Sequence, residues 1–500
     1  MLYYFPDTSD LKDVSGDLRM FWENEFSIRE NYARYFDGVI FKERVDQEVN
    51  IEDEVLLYPV GLNLVKMLCI AQADGLFGEW EESIFNFEVR REDTATEPAK
   101  AAIKLLSSIM ENSNANAMFW EAALDREVYG GVPLKVTPDL KKTGHIKWSR
   151  VPIQSFFPVY DPDDPDELLE VYVIIPMTKD QARAKYGYTG STEIPIRVEH
   201  WTKEFYTNEL DGIRIDAYSG INPWGFVPFV YIPRLRTRSY FGDSLTEEII
   251  PVQDELNMRM GDLSEAINYN THPIKWGYNL PAKFNADNYS IGSNSFWDLG
   301  RVLGGSEPPK VGLLQADKAI PDGAFEYLNF IYDWGRVSAF SPPVVFGMED
   351  GGGQRSGATI ELRMWSYVKS LRRSRAYMTN GIKKLAWMSA MILKQKKLED
   401  VPSRALDCIL SGGVVPVLPE IMPRDHQAIV DEVVKLLSLE YPGISIYTAQ
   451  KKLGNGAGEV DRIKEMLKDK ELRKEQFKMD KAQQGEKGKM QPQAKNEDPE

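Results

Sequence analysis

Gly352 and Gly357 stand at the separation used by phosphate-binding glycine loops, and Thr359 falls where such a loop places its magnesium-ligating hydroxyl. Ala358 occupies the lysine position, however, and without that ammonium the β- and γ-phosphates of a nucleotide lose their counter-charge. The motif also springs from a buried strand, whereas Ser341-Pro342-Pro343 precedes this one. The glycines read better as a flexible connection between two helices. Asp161, Asp163, Asp164 and Asp166 crowd into DPDDPDE, but the central glycine and terminal glutamate of a calcium loop are missing and prolines interrupt, so a solvated turn is expected. His145, His200, His272 and His426 have no ligand-like spacing. Cys69 and Cys408 lie in the apolar runs LVKMLCI and ALDCIL, where buried reduced thiols are expected. GISIY at 443–447 lacks the last glycine of a serine nucleophile elbow, and the glycines 454, 456 and 458 follow no strand. The residues therefore suggest no catalytic set, no metal and no cofactor.

Composition narrows the classes further. The 60 Lys and Arg against 76 Asp and Glu leave a net charge of −16 over 500 residues, which argues against a protein that coats DNA. A hydrophobic share of 43% is enough for a sizeable core and argues against wholesale disorder. The longest apolar runs, 56–65 and 385–393, fall well short of the ~20 residues that span a bilayer. MLYYFPDTSD is not a secretion signal, so a soluble protein made in the cytoplasm is expected.

The elements that would position any site read as α+β and helix-rich. The first 130 residues are mostly helical, ending at Gly130-Gly131; from 131 to 240, runs such as VPLKV, VYVIIP, IRVEHW and FVPFVYI predict strands broken by turns. At 243–271 helix returns. Leu245, Ile249, Val252, Leu256, Met260, Leu263 and Ile267 form one stripe at 3.67 residues per turn, while Glu247, Glu248, Asp254, Glu255, Asp262 and Glu265 fall on the opposite side. Pro251 is expected to kink this helix or mark its effective start. Residues 272–320 read as a small separate subdomain, 321–340 as a second helix opening near Pro321, and Ser356 as a cap for a long helix to about 398, bent near Gly381. Segment 358–398 sets Arg363, Lys369, Arg372, Arg373, Arg375, Lys383, Lys384, Lys394, Lys396 and Lys397 against the single acid Glu361. Two readings stand: contact with an acidic neighbour, either phosphate or another subunit's carboxylates, or a solvated face with snorkelling stems. Short extended and helical pieces follow to 470, and 471–500 has the composition of a disordered tail.

The order of these features resembles the portal protein family of tailed double-stranded DNA bacteriophages. GDSLTEEIIPVQDELNMRMGDL (242–263), SGATIELRMWSYVKSLRRSRAYM (356–378) and the run from PVLPEIMPRDHQAIVDEVVKLL to PGISIYTAQKKLG (416–454) carry the resemblance. LDREVYGGVPLKV and SFFPVYDP fit the same family's β-rich region, so the likeness covers about 120 to 470.

The resemblance implies a virion protein: a dodecameric ring at one capsid vertex, not an enzyme and not membrane-bound, through which double-stranded DNA is packaged and ejected. In family terms residues 1–242 would be wing, 243–271 a stem helix, 272–320 the clip, 321–340 the second stem helix, 341–357 the tunnel loop, 358–398 a wing helix and 399–470 the crown. The tunnel loop would set Gly347, Met348, Glu349, Asp350, Gly351, Gly352, Gly353, Gln354 and Arg355 against DNA. The six stem acids would line the channel and repel phosphate, and Arg372, Arg373 and Arg375 would contact DNA or a neighbouring subunit. Implied partners are the terminase large subunit and a head-completion or adaptor protein at the clip, and the major capsid and scaffolding proteins at the wing. The alternatives are a nucleic-acid-processing or carbohydrate-active enzyme with an acidic site in the β-rich region, and a cytoplasmic scaffold.

Overall fold

The computed structural model describes residues 16–39, 61–80, 82–90, 96–142, 144–237, 239–271, 274–279, 307–308, 310–314, 323–348, 357–422, 430, 433–436 and 468. The chain forms two units, 1–421 and 422–500, and all that follows concerns the first.

Among the described residues four helices precede the main sheets: α1 (Gly16–Asp37), α2 (Leu64–Phe77), α3 (Glu97–Asn112) and α4 (Ala115–Tyr129). α2 is apolar nearly all round, with Leu64, Val65, Leu68, Cys69, Ala73, Leu76 and Phe77 buried, as expected of a helix enclosed by others. The expected strands form two antiparallel sheets. β2 (Gly131–Pro138) lies between β3 (Ile146–Arg150) and β10 (Phe229–Pro233). The larger sheet runs β4 (Phe156–Tyr160), β5 (Leu168–Pro176), β6 (Ile196–Thr202), β7 (Phe205–Leu210) and β8 (Ile213–Arg214), with β9 (Gly220–Ile221) also paired to β7. Between β5 and β6 sits the short α5 (Lys179–Tyr186), begun by a capping box in which the Thr178 hydroxyl accepts from the Gln181 N–H and the Gln181 side chain accepts from the Thr178 N–H.

α6 (Leu245–Thr271) and α7 (Ala324–Ser338) flank the antiparallel pair β11 (Ile274–Tyr278) and β12 (Lys310–Leu314). α8 (Gly357–Arg363) and α9 (Trp365–Lys396) then lead to α10 (Ser403–Leu410) and β13 (Val414–Val417), which pairs with β1 (Asn86–Val89) from the other end of the unit. Residues 399–421 therefore belong structurally with the N-terminal helices, α10 packing on α3.

Two expectations about breaks are corrected. α9 runs unbroken through Gly381, and the interruption lies at Met364 instead. Gly381 serves contact rather than bending: a Cβ there would meet Ile232 Cδ1 at 2.3 Å, so its absence lets α9 lie on β10. Nor does Pro251 start its helix, since α6 begins six residues earlier and carries the proline inside it. At the seventh position its ring removes the N–H that would have bonded the Glu247 carbonyl four residues back, so the expected kink is the role left to it.

Candidate functional site

The root of α6 is fixed by close backbone approach. Gly130 caps α4 at φ 87° and Gly242 precedes α6 at φ 82°; a Cβ on either would come within 2.5 Å of the other's carbonyl oxygen. The Ser244 hydroxyl donates to Val128 O at 2.5 Å and accepts from the Thr246 N–H at 3.0 Å. Behind them Arg234 donates to Glu127 Oε2 at 2.7 Å and Glu248 Oε1 at 3.2 Å. Burial disfavours the Arg234 charge, but the two carboxylates outweigh it and raise its pKa above the usual arginine value. Gln253, fully buried, accepts from the Leu64 and Val65 N–H groups at 2.7 and 3.2 Å and donates to Leu62 O at 2.6 Å, tying α6 to the N-terminus of α2.

The apolar stripe follows this anchoring. Leu245, Ile249 and Leu256 are buried, Val252 and Met260 pack half-buried against the core, and Ile267 is exposed. α7 runs antiparallel to α6: Tyr327 donates to Glu255 at 3.1 Å, while Gly335, farther along α7, lies beside Val252, nearer the root of α6. The pair thus continues from the core toward β11 and β12.

The six acids of α6 do not form one open face. Glu247 hydrogen-bonds Tyr32 and raises its pKa, an effect to which burial contributes most. Glu248 is held by Arg234, and Asp254 accepts from the Tyr35 hydroxyl at 2.9 and 2.8 Å. Glu255 and Asp262 clasp Arg259 at 2.8 and 2.9 Å, and the Arg259 hydrogen bond is the main reason the Glu255 carboxyl lies below its ordinary range. Glu265 is exposed farther along. The periodicity identified one side of the helix; it could not foresee that α1, Arg234 just after β10, and Arg259 would engage its carboxylates.

α7 carries the feature that sequence reasoning missed. Phe325, Tyr327, Phe330, Trp334 and Val337 are exposed, with Phe330 at 60%, Trp334 at 56% and Val337 at 67%. Phe330 and Trp334 stack with centroids 6.2 Å apart. Their i, i+4 spacing was legible, but a periodic aromatic set usually marks a core face, and here α6 covers the other side of α7.

Gly347 ends a 3₁₀ turn over Pro343–Phe346 at φ 69°, and Met348 is exposed beside it. Glu349, Asp350, Gly351, Gly352, Gly353, Gln354, Arg355 and Ser356 lie outside the described residues, as do His272, His426, Pro321, the glycines at 454–458 and the 471–500 tail.

The three arginines of α9 separate. Arg372 and Arg373 are exposed, the latter with its guanidinium 5.8 Å from the Phe340 ring centre. Arg375 donates from Nε to Leu76 O and from Nη1 to Pro419 O, both at 2.6 Å, and burial pushes its pKa down to about 10. It is an internal fastener of its own chain. Lys384 and Lys394 are likewise engaged, by Asp166 and Asp407.

Among the described residues no His, Cys, Asp or Glu cluster could hold a metal, and no helix is long and apolar enough to cross a membrane. Asp163 and Asp166 N–H groups bond to Asp161 and Asp164 carboxylates, so DPDDPDE closes on itself as turns. Burial pushes the Cys69 thiol up to about 12. No protein-family model matches the chain, and no curated protein matches it.

Proposed function

We propose that this chain is the portal subunit of a tailed bacteriophage, a ring-forming DNA conduit rather than an enzyme. The observation that carries the reading is the antiparallel α6–α7 pair, continuing into the β11–β12 pair and bearing an uncovered aromatic face. A monomer gains nothing by presenting Phe330, Trp334 and Val337 to water, whereas a ring buries such a face against the next copy. In this reading α6 and α7 are the stem and β11–β12 belongs to the clip, where a packaging terminase and head-completion proteins would dock. The chain's −16 charge suits a channel, because a lining that does not hold phosphate lets a duplex slide. The motor's nucleotide site would then belong to the terminase, consistent with Ala358 at the lysine position of the glycine loop.

The test is the particle. Purified full-length chain should form rings in negative stain with a mass many times 57.0 kDa by light scattering. A monodisperse species of 57.0 kDa at micromolar concentration would sink the proposal.

A further inference from the structure

Between the three-stranded sheet and β5–β7 lies a cleft of about 440 Å³, within the range of small-molecule sites. Its polar centre is unequal in charge. Glu199 on β6 is 5% exposed and accepts from Lys135 on β2, from Arg197 Nη2 at 3.2 Å and from Trp201 Nε1 at 2.6 Å. Lys135 and Arg197 are themselves 17% and 14% exposed, so two largely buried cations share one carboxylate. Arg150, which also lines the cleft, is neutralised by Asp125 and Glu121, and among the described lining residues Glu199 is the one acid. The lone acid also argues against a paired-carboxylate active site in this cleft.

Burial alone would raise the Glu199 carboxyl, yet Lys135 and Arg197 outweigh it and hold its pKa below the ordinary value. The cleft is therefore positive enough to keep an enclosed carboxylate ionised. Buried charges are normally matched one for one, because an uncompensated ion forfeits its hydration. Lys185, Thr137, Ser149 and Asn208 add polar groups to the wall, and Val173, Ile175, Trp224 and Phe229 give it an apolar and aromatic part, with Lys135 Nζ 5.2 Å from the Phe229 ring centre.

We propose that this cleft binds a small organic anion, its carboxylate or phosphate head taken by Lys135 and Arg197 and its apolar body by the surrounding wall. The site is distinct from the helix pair and does not depend on the assembly reading. Benzoate and phenyl phosphate are suitable probes, with benzyl alcohol as the uncharged control. Calorimetric titration of the full chain should give saturable binding of at least one anion, which also tells carboxylate from phosphate, and benzyl alcohol should bind at least about tenfold more weakly. Lys135→Met should weaken the anion about tenfold or more. Glu199→Gln should tighten it, because the competing carboxylate is gone; a merely structural ion pair would not give that gain. Failure of both anions to bind the unaltered chain, equal binding of benzyl alcohol, or unchanged affinity in folded Lys135→Met would each overturn the assignment.

Discussion

Three arginines that look alike in sequence have different physical roles. Arg372, Arg373 and Arg375 sit within one turn of α9, but only Arg375 points into a shell of carbonyl groups, satisfying Leu76 O and Pro419 O. Replacing it strands two partly buried acceptors, each costing about 1–3 kcal/mol when unsatisfied. Arg375→Met should therefore lower unfolding free energy by about 2 kcal/mol or more, measured by denaturant titration. Arg372→Glu and Arg373→Glu should each stay within about 0.5 kcal/mol, since their side chains are exposed. Under the proposed ring, any effect of those two reversals would appear in assembly or DNA retention. The distinction was not legible in the sequence, because it depends on where residues 76 and 419 arrive in space.

At the scale of elements, local signals were read well and distant ones were not. The 245–267 stripe announces itself by period, the long basic helix by its cap position and charge, and proline at 342–343 follows the end of α7 as expected. α5 was overlooked inside a strand-rich stretch although Thr178 and Gln181 spell its capping box. The β1–β13 pairing joins residues more than 300 apart and leaves no local trace. Gly381 shows how one residue type misleads: read as a helix weakness, it is a point of contact. Gly381→Val should cost about 1–3 kcal/mol by overpacking Ile232, and the double variant with Ile232→Ala should be destabilised by less than the sum of the singles. Strict additivity in urea melts would show that Gly381 and Ile232 do not press on each other.

For the whole molecule, the decisive contrast is between two apolar populations on the helix pair. Leu245 and Ile249 are fully buried and fasten α6 to the core, each burial contributing about 1.5–3 kcal/mol. Phe330 and Trp334 contribute little to the single chain because water still reaches more than half of each. Truncating or charging the first set should unfold the chain; under the proposed ring, charging the second should leave it folded and abolish association. Phe330→Glu combined with Trp334→Glu is thus expected to keep the monomer's unfolding free energy within about 1 kcal/mol while the particle mass falls to 57.0 kDa. The i, i+4 acids would also repel their counterparts if copies still met, so partial assembly should weaken further at low salt. Light scattering and negative stain on the folded double variant decide the matter. If its rings persist, α7 is not the surface that joins the copies, and the helix pair loses its place as the stem of a ring.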